Sequence, residues 1–193
     1  MFSPKSKLLL SLPFVETEWK QAGSTHCGVD SMKLFIDLFA GLCGASQAFF
    51  SDSARGWVVL AVDNNQLCLS EVMKTEMMNT KLIYHYGEVH PDLIEWLKSS
   101  ISVLEKLYGT FEEIVIWASP PCTEFSDANP NRPADPSMVL LESTIAIIEA
   151  IEPDVWYLEN VKGACREFKP YLGSHRQKMK SFFVWGNFPY VDV

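Results

Sequence analysis

The sequence lacks the patterns that indicate a disulfide framework, a structural zinc site or a membrane span. Its 193 residues contain five cysteines but no C-x-x-C pair. No stretch approaches the ~18 consecutive apolar residues that a membrane helix requires. The apolar run LLLSLPFV near the N-terminus is interrupted by Pro13 and followed by glutamates, unlike a cleaved signal peptide. We therefore expect a soluble protein of the cytoplasm or another reducing intracellular compartment, with no membrane partner and no metal.

Positive charge is scarce in this sequence, whose formal net charge is −8. A protein of that charge does not hold nucleic acid through a generally basic surface. Segment 162–180 is the exception, with six lysines or arginines, one glutamate and a local charge of +5. Such a run is either a solvated surface or a surface that contacts phosphate groups. If the substrate is a polynucleotide, this segment is the dense cationic stretch available to hold it.

Internal repeats and low-complexity tracts are also absent, and short apolar runs alternate with longer segments of helical periodicity. The predicted strands cover 33–39, 57–63, 81–86, 113–119, 155–160 and 182–188, and the predicted helices cover 45–55, 91–108 and 136–151. This alternation predicts an α/β fold with a doubly wound, mostly parallel sheet, in which ligands bind beyond the carboxyl ends of the strands. Residues 1–31 fit the pattern poorly, so we expect an N-terminal arm or cap before one catalytic domain over 32–193.

Residues suited to binding a nucleotide follow the first three predicted strands. A glycine-containing turn, within DLFAGLCGAS over 37–46, lies between the first strand and the next helix and would let a ligand approach the backbone. Asp63 follows the second strand, 22 residues after Gly41, and Glu88 follows the third. An acidic residue at that interval reaches ribose hydroxyls in nucleotide-binding α/β folds. Together the three strand ends favour a cofactor that carries an adenosine group.

The fourth and fifth predicted strands end in residues suited to catalysis. Pro120 and Pro121 end the fourth strand, because proline cannot donate to a sheet ladder, and they hold Cys122 in a stiff, presented position. The alternative is that Cys122 is a small apolar core residue. Glu159 closes the apolar fifth strand, where a carboxylate is costly unless it is paired or used. Neighbouring strands would place Cys122 and Glu159 on one edge, as a nucleophile beside a carboxyl group.

These motifs resemble those of the C5-cytosine DNA methyltransferases, enzymes that move a methyl group from S-adenosylmethionine to carbon 5 of cytosine. DLFAGLCG is similar to the family's cofactor loop, PPC followed by FS to its catalytic loop, and ENV to its carboxylate motif, in the family's order over residues 33–161. The resemblance implies a Rossmann-like sheet of the S-adenosylmethionine-dependent methyltransferase type. It also implies S-adenosyl-L-methionine as cofactor and a nucleic acid, DNA before others, as partner.

The same resemblance implies roles for individual residues. The residues that it places around the cofactor are Phe39, Gly41, Gly44, Asp63, Asn64, Glu88, Val89 and Pro120. Cys122 would attack carbon 6 of the target base, Glu159 would bind the ring N3 and the exocyclic amine, and Arg176 would stand in for a later catalytic arginine. The predicted substrate contacts are Ser126, Asn160, Lys178 and Lys180. A base in a duplex would have to be flipped out of its stack.

The sequence departs from the family's pattern in three ways. Cys43 stands where a second glycine is usual, and Thr123 stands where a glutamine usually follows the catalytic cysteine. Little chain follows Val161 for a target-recognition domain, so recognition would come from a partner protein or a second copy of the chain. The same chemistry on RNA, single-stranded DNA or a free cytosine nucleotide stays open, as does a split or non-catalytic methyltransferase-like subunit.

Overall fold

The computed structural model describes residues 31–50, 56–75 and 81–190, so the arm predicted over 1–31 lies almost wholly outside the described residues. In these ranges one sheet contains β1 (Lys33–Leu38), β2 (Trp57–Asp63), β3 (Leu82–Tyr86), β4 (Glu113–Ala118), β5 (Val155–Val161), β6 (Gln177–Met179) and β7 (Phe182–Gly186). The same ranges contain α1 (Gln66–Val72), α2 (Leu93–Tyr108), α3 (Val139–Ile151), α4 (Ala164–Leu172) and a 3-10 helix over Ala45–Phe50. None of these helices is long and apolar enough to cross a membrane.

The sheet is wound in both directions from its centre, with the strand order β3-β2-β1-β4-β5-β7-β6. β1 to β5 run parallel, while β7 is antiparallel to both β5 and β6. The chain reverses its direction of winding between β1 and β4, and ligands bind in α/β sheets at such a reversal. The carboxyl ends of the five parallel strands therefore meet at one edge of the sheet, which we call the rim.

The two faces of the sheet are covered differently. α2 and α3 pack on one face, where Leu97 and Ile147 join the buried side chains of β1 and β2. α1 packs on the other face through Val72, together with the 3-10 helix. This second face continues across β4, β5 and β7 as an open apolar groove of about 520 Å³, whose lining includes Trp117 and Tyr157. We call the two surfaces the α2/α3 face and the Tyr157 face.

The predicted fold is confirmed, and all six predicted strands are present with ends displaced by at most two residues. The predicted helices over 91–108 and 136–151 correspond to α2 and α3, whereas the helix predicted from residue 45 is a 3-10 helix. The sequence reasoning missed α1, α4 and β6. α1 begins after Asn65, whose side chain accepts hydrogen bonds from the N–H groups of Leu67 and Cys68, which is the usual role of an asparagine N-cap.

Asp37 is a buried carboxyl group near the end of β1. It is 2% exposed, and its Oδ2 accepts a hydrogen bond from the hydroxyl of Ser46 in the 3-10 helix. Burial raises the pKa of Asp37 from 3.8 to about 6, an effect that Ser46 opposes and the nearby charge of Asp63 reinforces. The side chain therefore ties β1 to the 3-10 helix, but its ionised form costs stability near neutral pH.

Replacing Asp37 with asparagine should change how stability depends on pH. Because its folded pKa is raised, Asp37 contributes most to stability below its ordinary pKa, and that contribution is lost as the pH rises through about 6. A shift of this size corresponds to about 3 kcal/mol. Asp37→Asn should therefore be more stable than wild type near neutral pH by up to that amount, and the gain should shrink as the pH falls toward about 4. Urea unfolding at the two pH values measures the difference.

The control is Asp135→Asn, which alters an exposed carboxyl group on the surface and should leave the stability near neutral pH close to that of wild type. If Asp37→Asn changes stability equally at both pH values, the carboxyl group of Asp37 does not titrate with a raised pKa.

Candidate active site

The turn that follows β1, residues 39–44, has a backbone conformation that is costly for most side chains. Phe39, Gly41 and Cys43 have φ angles of 63°, 51° and 61°, in the left-handed region that only glycine enters freely. Cys43 is fully buried under the turn, and burial raises the pKa of its thiol to about 12. Cys43 is therefore a neutral, apolar residue packed beneath the turn, and its side chain, which a glycine would lack, is directed into the protein. We call residues 39–44 the glycine turn.

Asp63, at the end of β2, fixes the glycine turn in place. Its Oδ2 accepts a hydrogen bond of 2.9 Å from the Gly41 N–H, and its Oδ1 accepts one of 2.7 Å from the Asn65 N–H. From β3, the Tyr84 hydroxyl donates to the Gly41 carbonyl at 2.9 Å. A carboxylate has about four acceptor positions, so Asp63 keeps capacity for a ligand while it holds the turn.

A cavity of about 200 Å³ lies at the rim between the glycine turn and the start of α3. Its lining contains five of the residues predicted to contact a cofactor, namely Phe39, Asp63, Asn64, Glu88 and Val89, together with His90, Pro121, Val139 and Leu140. Gly41 and Gly44 belong to the turn beside it. Pro121 also lines the cavity, whereas the Pro120 carbonyl accepts a hydrogen bond from Asn160 of β5, and the contact of Pro120 with a cofactor stays a prediction.

The chemistry of this cavity suits a nucleoside. Apolar side chains form most of its wall, and the carboxylates of Asp63 and Glu88 lie in that lining. A flat base can contact such walls, while ribose hydroxyls and an exocyclic amine donate to carboxylate oxygens. Pro121 also lines the cavity, so Cys122, the next residue, lies beside it.

The structure brings Cys122 and Glu159 to neighbouring strand ends, as predicted. β4 and β5 pair in parallel with Ala118 opposite Leu158, so the next residues along, Ser119 and Glu159, lie side by side. Beyond them, Asn160 Nδ2 donates to the Pro120 carbonyl at 3.0 Å. Asn160 is 1% exposed, so its side chain joins the two strand ends inside the protein, and its contact with substrate stays a prediction.

Glu159 is oriented by a short chain of hydrogen bonds on the Tyr157 face. The indole N–H of Trp117 donates to the Ser119 hydroxyl oxygen at 2.7 Å, which leaves the hydroxyl proton of Ser119 free to point at Glu159. Burial raises the pKa of Glu159 above its ordinary value, and the hydrogen bond with Ser119 partly opposes this shift. The half-buried carboxyl group of Glu159 is thus more readily protonated than an exposed glutamate.

The loop after Cys122 is folded back on itself. The N–H groups of Phe125 and Ser126 donate to the Cys122 carbonyl at 3.0 and 2.9 Å. Phe125 is buried against Phe168 of α4, with ring centres 5.1 Å apart. Arg132 then closes the loop, because its Nη1 donates to the Phe125 carbonyl at 3.1 Å. Cys122 is half-buried at the base of this ordered loop. It is therefore neither packed in the core nor fully exposed.

Gly163 brings the loop after Cys122 into contact with the segment after β5. A Cβ atom at Gly163 would lie 1.9 Å from the Phe125 carbonyl oxygen and 3.0 Å from Nη1 of Arg132. The backbone of Gly163 has an ordinary helical φ of −63°, so any residue could adopt its conformation. Glycine is required here only by the close approach of the two backbones.

Arg176, the predicted catalytic arginine, lies just before β6. Its N–H donates to the Val184 carbonyl at 2.8 Å, and Val184 is the partner of Glu159 across β5 and β7. Its guanidinium carbon lies 5.9 Å from the ring centre of Phe188. Arg176 is therefore separated from Glu159 by the whole of β7, and its catalytic role stays a prediction.

The other basic residues of segment 162–180 lie on α4, in β6 and in the turns beside β5 and β7. Arg166 and Lys169 lie on α4, whereas Lys178 lies in β6. Lys180 lies in the turn between β6 and β7, with a φ angle of 56°, and Lys162 follows β5 directly. All five side chains are exposed, and Lys162 and Lys180 stand at the rim, where they follow β5 and precede β7.

Comparison with known protein families shows to which family the chain belongs. A family model described as C-5 cytosine-specific DNA methylase matches residues 34–182, a range that includes the glycine turn, Cys122 and Glu159. The chain belongs to this family. A search of curated proteins found no significant match.

Solved structures share the fold of this methylase-family chain. The crystal structure of a fibrillarin/Nop5p complex superposes with a TM-score of 0.50 at 10% identity, covering 83% of this chain and 73% of the other. An rRNA methylase from Streptococcus thermophilus superposes with a TM-score of 0.47 at 11% identity, covering 82% and 87%. These likenesses concern the fold alone, and methyl transfer is the class of reaction that membership of the methylase family supports.

Several residues of this methylase site are visible only in the folded chain. Ser119 and Trp117 reach Glu159 because β4 and β5 pair in a particular register. Val139 and Leu140 line the cavity although their sequence pattern is that of an ordinary helix start. Of these residues, only Ser119 could have been recognised from the sequence, because it is a polar residue directly after an apolar run.

Gly163→Ala should displace the loop that carries Cys122. The added methyl group cannot coexist with the Phe125 carbonyl at its present position, so the loop must shift at a cost of about 1–3 kcal/mol. We expect a lower melting temperature and a larger loss in methyl transfer than in cofactor affinity. Thermal unfolding, calorimetry with S-adenosylhomocysteine and a methyl-transfer assay measure the three effects.

Gly56→Ala is a matched control, because its Cβ would lie 3.4 Å from the nearest atom, the Ser31 carbonyl oxygen. Both glycine-to-alanine substitutions reduce the conformational entropy of the unfolded chain by the same amount. Equal melting temperatures for the two variants would show that the Gly163 contact is not tight.

Proposed function

We propose that the protein transfers a methyl group from S-adenosyl-L-methionine to carbon 5 of a cytosine in DNA, through a covalent bond between Cys122 and carbon 6. The observation that carries this proposal is the parallel pairing of β4 and β5, which sets Glu159 beside Ser119, three residues before Cys122, while Pro121 lines a cavity that includes two carboxylates. Membership of the C-5 cytosine-specific DNA methylase family supports the same reaction.

The residues around the cavity fit S-adenosylmethionine in their chemistry. Asp63 would accept from the ribose hydroxyls, Glu88 would accept from the adenine amine, and Phe39 and Val89 would contact the base and the methionine part. When bound, the cofactor supplies an electrophilic methyl group on a positively charged sulfur.

The protein residues act on the cytosine ring. The thiolate of Cys122 adds to carbon 6, which forms a sulfur–carbon bond and moves the electron pair of the 5,6 double bond toward carbon 5. Glu159 accepts from the exocyclic amine and shares a proton with ring N3, so the ring does not build up negative charge during the addition. Carbon 5 then takes the methyl group. Loss of the carbon-5 proton to a base restores the double bond and expels the Cys122 thiolate.

The environment of Glu159 suits this role. Burial raises its pKa, so a larger fraction of Glu159 carries the proton that N3 needs near neutral pH than an exposed glutamate would. Asn160 and Ser119 hold the strand end in place, so the carboxyl group does not have to be reorganised when the base binds.

The proposal is tested by following tritium from labelled cofactor into duplex DNA, single-stranded DNA, RNA and dCMP. The best substrate is then made with 5-fluorocytosine, whose fluorine cannot leave as the carbon-5 proton does, so the covalent adduct should persist. We expect mass spectrometry to find the adduct on Cys122 in wild type and on no residue in Cys122→Ser, with loss of methyl transfer. Cys165→Ser, which alters another half-buried cysteine, should behave like wild type. An adduct on a different cysteine, or no transfer to any of the four substrates, would refute the proposal.

Ser119→Ala should move the pH dependence of methyl transfer. Ser119 lowers the pKa of Glu159, so its removal should raise that pKa further. If protonated Glu159 assists the reaction, kcat/KM falls as the pH rises through its pKa, and the variant should show this fall at a higher pH than wild type. Ser119→Thr keeps a hydroxyl group and should restore the wild-type profile. If the pH profile of Ser119→Ala coincides with that of wild type, ionisation of Glu159 does not control kcat/KM.

A further inference from the structure

Phe182 lies beside Glu159 on the same face of the sheet. β5 and β7 pair in antiparallel register, with Glu159 opposite Val184 and Val161 opposite Phe182. Opposed residues of an antiparallel pair point to the same face, and so do residues two apart along a strand. Phe182 is therefore the diagonal neighbour of Glu159 on the Tyr157 face, at a distance of about 7–8 Å that an aromatic side chain can span.

The ring of Phe182 is exposed where other aromatic side chains of β7 are buried. Phe182 is 48% exposed, while Phe183 and Trp185 are 8% and 1% exposed. Its neighbour across β6 and β7 is Met179, which is itself 42% exposed. Burial of a phenylalanine ring is favourable by about 1.5–3 kcal/mol, so an exposed ring at the rim is conspicuous.

Cations lie on both sides of this ring along the rim. Lys162 follows Val161, the cross-strand partner of Phe182, and Lys180 lies two residues before Phe182 in the turn. Both lysines are exposed. An aromatic ring between positive charges is the combination that binds single-stranded nucleic acid, because the ring stacks on a base and the charges contact the backbone.

The target cytosine itself cannot be the base that stacks on Phe182. The Cys122 sulfur and the methyl donor approach adjacent ring carbons perpendicular to the ring, and two such bulky groups do not fit on one side of a single bond. They therefore approach opposite faces of the cytosine, and both faces must be open. A base next to the target in the strand has no such restriction.

We propose that Phe182 stacks on the nucleobase that flanks the target cytosine, with Lys162 and Lys180 near the adjoining phosphates. This inference rests on the proposed function and makes the substrate a polynucleotide. A free cytosine nucleotide has no flanking base and gains nothing from Phe182.

The experiment is a double-mutant cycle between the protein and the nucleic acid. A short oligonucleotide with one 5-fluorocytosine is compared with the same oligonucleotide carrying abasic sites on both flanks, in single-stranded and duplex form. Dissociation constants are measured by fluorescence anisotropy for wild type, Phe182→Ala, Phe182→Leu and Phe182→Trp. Tyr171→Ala is the matched control, because Tyr171 is 44% exposed on α4 away from the rim.

We expect Phe182→Ala to bind the intact oligonucleotide about 5- to 150-fold more weakly than wild type, the range for loss of one stacked base. Phe182→Leu should lose most of this affinity, whereas Phe182→Trp and Tyr171→Ala should keep it. The abasic oligonucleotide should bind wild type as weakly as Phe182→Ala binds the intact one, and Phe182→Ala should not distinguish the two.

Two results would overturn the inference. Phe182→Ala could bind the intact oligonucleotide as tightly as wild type, or it could lose the same factor on both oligonucleotides, in which case the ring contacts something other than a flanking base, such as a partner protein. These results are separate from a failure of the proposed function, which is an absence of methyl transfer and of a Cys122 adduct in wild type.

Discussion

The parallel pairing of β1 with β2 on one side and β4 on the other is the constraint on which the rest of the structure depends. It sets the register of every strand end, and through β4 it sets the position of β5. The ladder continues past the strands, since the Ser119 N–H donates to the Leu38 carbonyl at 3.3 Å and the Ala40 N–H to the Val62 carbonyl at 3.0 Å. A slip of one residue in β5 would move Glu159 to the α2/α3 face, away from Ser119. The geometry of the site is therefore a consequence of the sheet.

Burial has different consequences for three ionisable groups near this rim. Asp37 and Glu159 both have raised pKa values because burial penalises their charged forms. In Asp37 the effect costs stability, and the benefit is a link between β1 and the 3-10 helix. In Glu159 the same effect favours the protonated form, which the proposed reaction would use at ring N3. In Cys43 burial keeps the thiol neutral by raising its pKa, so a cysteine occupies the glycine turn as a small apolar residue.

The sequence predicted those parts of the molecule that depend on local patterns. The parallel strands were found because they are apolar on both faces, and the strand-end residues were found because parallel strands place them together. β6 was missed because it has three residues, two of them basic, and is defined only by its pairing with β7. Ser119 and Gly163 were missed as functional positions because their contacts are made with residues that are distant along the chain. The position of Phe182 beside Glu159 depends on an antiparallel register that no local pattern specifies.

In the proposed reaction, cofactor and substrate would lie toward different faces of the sheet. The cavity is lined by Val89 from the core of the α2/α3 face and by Val139 and Leu140 of α3, whereas Glu159 and Phe182 stand on the Tyr157 face. Cys122 follows Pro121 at the boundary between them. Lys162 follows β5 and Lys180 precedes β7, so both stand near Phe182 at the rim. A polynucleotide substrate of the proposed reaction would therefore meet positive charge and an exposed aromatic ring at the same edge.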